Sequence, residues 1–159
     1  MLVELTDSEY SVAVMLAIAR RSAARGNGVV DMQIGKQDPY EIELDGLMAE
    51  IAFAKQFNYY PDLTVGPRNG GEDFRLRSGK TVDIKATRHK NGRLLATLKK
   101  ESSPCDLYVL AIIEPVKSVN LIGYIASDDL FKQSNLIDLG HGTGYGVTQA
   151  DLRTFKHGT

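Results

Sequence analysis

The stretch at residues 71–87, GEDFRLRSGKTVDIKAT, decides how the rest of the chain is read. Two short runs of alternating apolar and polar residues flank Ser78-Gly79, so the stretch reads as a β-hairpin turning over Arg77 to Lys80. On that hairpin Asp73 and Asp83 occupy neighbouring strands. Strand side chains alternate faces with period two, so Asp83 and Lys85 project from the same face. Two carboxylates and an ammonium converging there suit a divalent cation beside a phosphate. The competing reading is the ordinary charged outer face of a hairpin, with a weak Asp83–Lys85 ion pair.

Upstream, the pattern predicts a helix from about Asp45 to Phe57, ended by Asn58 and the Pro61 breaker. Leu47, Ile51, Ala54 and Phe57 lie along one face, widened by Ala49, Ala52 and Phe53. Glu50 stands in the middle of this apolar helix, where a carboxylate needs a partner unless it falls in an exposed gap between stripes. Glu43 would share its face only if the helix began earlier. A first helix, capped by Thr6 or Asp7, runs to about Ala24 with Gly26 as its stop. Val12, Met15, Leu16, Ala19 and Ala23 form its expected buried side. Residues 25–40 read as a loop with a short strand near Val29 to Ile34.

Downstream, the strand Thr81 to Thr87 leads into Asn91-Gly92, a strong hairpin signal, so Gly92 to Leu98 is expected to return antiparallel. Leu107 to Ile113 is almost continuously apolar, as in a strand buried on both faces. Ser118 to Ile125 reads as a further strand, Asp128 to Phe131 as a helical turn, and Tyr145 to Thr148 as a short extended piece. The fold class is therefore α/β, a mixed central β-sheet flanked by helices, in one domain spanning 1–159.

The net charge of −1 conceals an asymmetry. Residues 68–100 carry ten Lys and Arg against three acids, whereas the flanking segments are acidic. A basic third in an acidic chain points to a polyanion partner, or to a solvated basic face. A single cysteine, Cys105, excludes an internal disulfide and fits a reducing, cytoplasmic compartment. The apolar run Val12 to Ala19 is too short to span a membrane and has no basic leader, so neither a membrane span nor a signal peptide is expected.

Asp73 followed by Asp83-Ile84-Lys85, with Glu50 on a preceding helix, resembles the PD-(D/E)XK, or restriction-endonuclease-like, nuclease superfamily. Gly46 and the Ala49-Glu50 pair, the strand CDLYVLAII and the segment LIGYIASDDL are similar to phage and restriction members, so the resemblance covers residues 45–131. One departure is that Glu72 stands where such proteins often carry a proline before the first aspartate. The resemblance implies a Mg²⁺-dependent nuclease, with Mn²⁺ as a substitute, acting on DNA in a bacterial or phage-infected cell. It implies Glu50, Asp73, Asp83 and Lys85 as catalytic residues. Glu50, Asp73, Asp83 and the Ile84 backbone carbonyl would be the metal ligands. Lys85 would orient the attacking water or stabilise developing charge. Arg88, His89 and Lys90, with Lys99 and Lys100, would follow the phosphate backbone without reading sequence. A homodimer would let such a nuclease cut both strands, but no stripe identifies an interface. The alternatives are a catalytically silent DNA-binding or assembly module on the same fold, and an unrelated α/β binding domain.

Three other features carry less. The glycine string at 140–146 lacks the strand and long helix of a dinucleotide site and reads as a turn. His89, His141 and His157 have no zinc-ligand spacing. Cys105 reads as a small buried residue.

Overall fold

In a computed structural model of the chain, residues 1–26, 28, 38–66 and 71–155 are described, and the expected strand near Val29 to Ile34 lies outside them. The chain opens with a short strand β1, Leu2–Glu4, and a helix α1, Asp7–Gly26. Thr6 starts α1 through a capping box. Its Oγ1 accepts from Glu9 N–H at 3.2 Å, and Glu9 Oε2 accepts from Thr6 N–H at 2.7 Å.

The second helix, α2, spans Pro39–Phe57 and begins six residues before the position expected from the sequence. Asp38 caps it by accepting from Tyr40 N–H, Pro39 occupies its first turn, and Asn58 closes it in the left-handed conformation. The apolar stripe was legible only from Leu47 onward, whereas the start is set by this local cap chemistry. With the extra turns, Glu43 and Glu50 both project toward α1.

The buried side of α1 differs in part from the expected one. Ala13 and Ala17 are fully buried and Leu16 packs against the core as expected, while Val12 and Met15 of the expected side are exposed. Apolar residues occupy every position from Val12 to Ala19, so periodicity could not select a face. Close approach to α2 selects it, because small residues let the two backbones near each other.

Five strands form the main sheet in the order β1–β6–β5–β3–β2. The hairpin comprises β2, Phe74–Arg75, and β3, Thr81–Thr87, paired antiparallel with Phe74 opposite Val82. β5, Leu107–Glu114, lies parallel to β3, and β6, Ser118–Ala126, runs antiparallel to β5. The sheet is mixed, as expected. Asp106 fixes the parallel register: Oδ2 accepts from both Thr81 N–H and Thr81 Oγ1, and Asp106 N–H donates back to Thr81 Oγ1.

The expected antiparallel return after Asn91-Gly92 does not join β3. β4, Leu94–Thr97, pairs instead with β8, Thr143–Val147, in a second sheet of order β4–β8–β7, where β7 is Leu136–Asp138. β3 already has β2 on one edge and β5 on the other, so no edge remains for β4. Gly92 makes the departure: a Cβ there would sit 2.5 Å from Thr87 Cγ2 and 2.9 Å from the His89 carbonyl oxygen.

The two faces of the main sheet carry separate apolar clusters. Val82, Ile84, Val109, Ala111, Val119 and Leu121 pack with α1 and α2. Tyr108, Leu110 and Ile125 pack with Leu94, Ala96, Tyr145 and Val147 of the second sheet. β5 is therefore covered on both sides, as its apolar run predicts, but one cover is a sheet. Alternation along β3 puts Val82 and Ile84 on the helix side and Asp83 on the other.

Candidate functional site

Asp83 is the most buried acid among the described residues, 2% exposed. Lys85, two residues along the same strand, brings its Nζ to 2.6 Å from Asp83 Oδ1, so the shared face read from the sequence is realised. The second carboxylate oxygen is engaged by Lys100, Nζ to Oδ2 2.5 Å. Lys100 comes from α3, Leu98–Glu101, a single turn that follows β4 directly. Its ammonium also donates to the Gly71 carbonyl at 3.0 Å. Burial pulls the Lys100 ammonium down, but the charge and hydrogen bond of Asp83 outweigh it, so its pKa is raised above the ordinary lysine value.

Asp73 directly precedes β2. Its backbone N–H donates to the Val82 carbonyl at 2.8 Å, and its Oδ2 accepts from Ile84 N–H at 2.7 Å. The carboxylate thereby prolongs the ladder past the end of the two-residue strand. The N–H and C=O of one strand residue face the same edge, so the Ile84 carbonyl faces the edge where Asp73 stands. Asp73, just before β2, and Asp83 on β3 are thus held close to Ile84, and both contribute to the electrostatic environment of Lys100.

Glu50 is also buried, 6% exposed, and its setting is different. α2 covers the sheet face opposite Asp83. Glu50 Oε2 lies 3.8 Å from Arg20 Nη1, and Glu43 Oε1 lies 3.6 Å from the same nitrogen. Arg20, 7% exposed, donates from Nε to the Thr64 carbonyl at 3.1 Å and from Nη2 to the Asp62 carbonyl at 2.7 Å. Among the described residues no three His, Cys, Asp or Glu side chains stand close enough together to hold a metal, so Glu50 does not form one such group with Asp73 and Asp83. Arg20 in turn holds the segment 62–64, which lines a pocket together with residues 73–75.

The basic residues divide. Arg88 makes a bidentate contact with Asp45 of α2, Nε to Oδ2 2.7 Å and Nη2 to Oδ1 2.9 Å, with Glu41 at 3.4 Å. The hydrogen bond it donates to Asp45 raises its pKa. Arg88 thus ties the end of β3 to α2. His89, Lys90 and Lys99 are exposed. Cys105 is buried, its thiol pKa raised by burial first and by Asp83 next, as suits a packing residue.

Sequence reasoning missed two partners. Lys100 was visible as one of two basic residues in a connector, but its pairing with Asp83 exists only because β4 leaves the main sheet. Arg20 was hidden by the choice of the wrong α1 face. It follows Ala17 on the buried stripe, where an arginine signals buried acids opposite.

Tyr108, beside Asp83 in the parallel pair, is fully buried, and its hydroxyl oxygen accepts from Cys105 N–H at 3.1 Å. Burial pushes its pKa up from 10.0 to about 12, against the opposing effect of that hydrogen bond. The folded state keeps the phenol proton where the unfolded chain has lost it. Stability from this group is therefore complete below pH 10 and drains away as pH rises toward about 12, by roughly 2–3 kcal/mol in all. Absorbance titration of the phenolate should show a tyrosine ionising near pH 12 in the folded protein, and Tyr108→Phe should remove that step.

Compared with family models, with curated proteins and with solved structures, the chain shows no match. No helix among the described residues is long and apolar enough to cross a membrane.

Proposed function

We propose that the protein is a Mg²⁺-dependent nuclease that hydrolyses DNA phosphodiester bonds at the Asp73–Asp83–Lys85 site. One observation carries this reading: a nearly inaccessible carboxylate, Asp83, lies between two ammonium groups, with a second carboxylate fixed on the neighbouring strand by Ile84 N–H. Burying a carboxylate costs several kcal/mol unless cations compensate it, and a core seldom retains such a group without a use.

The donor set fits the metal. Mg²⁺ is usually held by one or two carboxylates and keeps several waters, so Asp73, Asp83 and the Ile84 carbonyl suffice as its protein ligands. Bound there, the ion would lower the pKa of a coordinated water and offset phosphate charge. Lys85 keeps its ammonium beside Asp83, where it can orient the attacking water or meet the charge that develops on the phosphate. Lys100, pinned by the Gly71 carbonyl, holds the other oxygen of Asp83 and offers a second positive group to the strand being cut. Glu50 enters by neutralising Arg20, which anchors the segment beside Asp73. Lys90 and Lys99, both exposed, would contact flanking phosphates.

A second reading has its own support. Both oxygens of Asp83 are engaged by lysines, which is how a catalytically silent DNA-binding module on this fold would stabilise the same carboxylate. The assay that separates the two is nicking of supercoiled plasmid. The nuclease reading expects conversion to open circles in Mg²⁺ or Mn²⁺ and none in EDTA, with Lys85→Ala slowing the reaction by about 10²–10³-fold. Wild-type protein that retards the plasmid on a gel yet never nicks it with either metal would establish the silent module.

A further inference from the structure

Lys100 stands where a bound cation would. Its ammonium touches Asp83 Oδ2 at 2.5 Å and donates to the Gly71 carbonyl at 3.0 Å, and the carboxylate of Asp73 adds to the negative field on it. Carboxylate and carbonyl oxygens are the donors that a hard divalent cation takes. With Lys85 on Asp83 Oδ1, the two ammonium groups balance the charges of Asp73 and Asp83. The chain thus neutralises this site with its own side chains, and an added cation meets an aspartate whose two oxygens lysines already hold.

The two lysines are anchored unequally. Lys85 projects from β3, in register with Leu110 of the central strand β5, so its backbone is fixed beside Asp83. Lys100 belongs to α3, a single four-residue turn that buries none of its residues, and its side chain is 30% exposed. Tyr145 holds the neighbouring Glu101 at 2.8 Å, so the part free to move is the flexible four-carbon stem of Lys100. That stem can turn to water without opening the core.

We infer that Lys100 is the resident cation of the proposed metal site, and that it must leave Asp83 before a divalent cation can bind there. The inference rests on the nuclease reading for the identity of that cation. It reconciles an aspartate paired on both oxygens with a working site, because the metal-free protein is held shut by its own lysine. Once displaced, the ammonium pairs with a phosphate of the DNA. DNA takes the lysine and the metal takes the aspartate, so each favours the binding of the other.

The test is metal binding without DNA, so that cleavage plays no part. Mn²⁺, a paramagnetic substitute for Mg²⁺, is titrated into the protein and the free ion is read by electron paramagnetic resonance. Lys100→Met and Lys100→Gln should each bind Mn²⁺ about 10- to 100-fold more tightly than wild type, because no ammonium competes for the site. Lys80→Met, which removes an exposed charge from the same hairpin, should stay within about twofold of wild type. α3 buries no residue, so the Lys100 variants fold, and circular dichroism verifies it. A second readout uses wild-type protein alone. An acetylating reagent followed by mass spectrometry should label Lys100 slowly in EDTA and several-fold faster at saturating Mn²⁺, whereas Lys80 is labelled equally in both. Equal Mn²⁺ affinity in wild type and the Lys100 variants, weaker binding by the variants, or tighter binding with no change in Lys100 labelling each overturns the inference. The last would mean that Lys100 repels the ion without occupying its place. The nuclease reading fails separately. Equal affinities beside metal-dependent plasmid nicking remove only the displacement. Mn²⁺-driven release of Lys100 in a protein that never nicks removes only the nuclease. No Mn²⁺ binding by any of these proteins removes both.

Discussion

Asp83→Ala should abolish the metal-dependent nicking proposed above, lowering the rate by about 10³-fold or more, while the variant still unfolds in one cooperative transition. The loss should exceed that of Lys85→Ala because Asp83 would serve two purposes at once: it would be an acid offered to the proposed cation, and it holds both Lys85 and Lys100 in place. Removing it frees two ammonium groups that then repel each other. The stability change is smaller than the burial of Asp83 suggests. Both lysine side chains are 30% exposed and can turn to water, so the cost is roughly 1–3 kcal/mol and not the larger penalty of an enclosed pair. Its pH dependence follows from Lys100. A cation whose folded pKa is raised stabilises fully below its unfolded value of 10.5 and loses that contribution only as pH rises through the raised one. The stability difference between wild type and Asp83→Ala should therefore stay flat through the neutral range and shrink only in strong alkali. Chemical denaturation at several pH values measures it. A variant that nicks at the wild-type rate removes Asp83 from the chemistry, whatever its stability.

The hairpin, the doubly covered central strand and the α/β class were legible because each is written locally. Ser78-Gly79 marks a turn, alternation puts Asp83 and Lys85 on one face, and Leu107 to Ile113 has no polar side to expose. What was not legible depends on competition between distant segments. Asn91-Gly92 does make a turn, Gly92 N–H donating to the His89 carbonyl at 2.8 Å, but a turn does not say which edge is vacant. β5 takes that edge of β3 in parallel, and β4 is displaced to a sheet that the glycine-rich tail completes. Gly144 and Gly146 in β8 belong to a glycine string that reads as a turn in sequence, with only Tyr145 to Thr148 expected to be extended. They are strand residues because Leu139, Ile137 and the backbone of Ala96 press where a Cβ would stand. The same displacement delivers Lys100 to Asp83, and Tyr145 steadies α3 by donating to Glu101 Oε2 at 2.8 Å. The half of the site carried by one hairpin was readable, and the half that depends on the second sheet was not.

Arg20→Met is the substitution expected to cost most stability, about 3–5 kcal/mol, or roughly 6–20 °C in Tm. Methionine retains much of the stem volume, so little of this is a cavity. The loss arises because the guanidinium compensates Glu43 and Glu50 on one face of α2 and satisfies the carbonyls of Asp62 and Thr64. Without it, two acids one heptad apart lose a shared cation between packed helices, and two carbonyls lose their donor. The contacts are coupled, so the costs do not add. Arg20→Met combined with Glu50→Gln should be less destabilised than the sum of the single variants, with a coupling of about 1–3 kcal/mol in a double-mutant cycle. The cycle also separates two roles for Glu50. If Glu50 acts only as counterion to Arg20, Glu50→Gln lowers stability and leaves the metal dependence of nicking unchanged. If it ligates the metal, the same variant demands a higher Mg²⁺ concentration for half-maximal rate, and Arg20→Met does not.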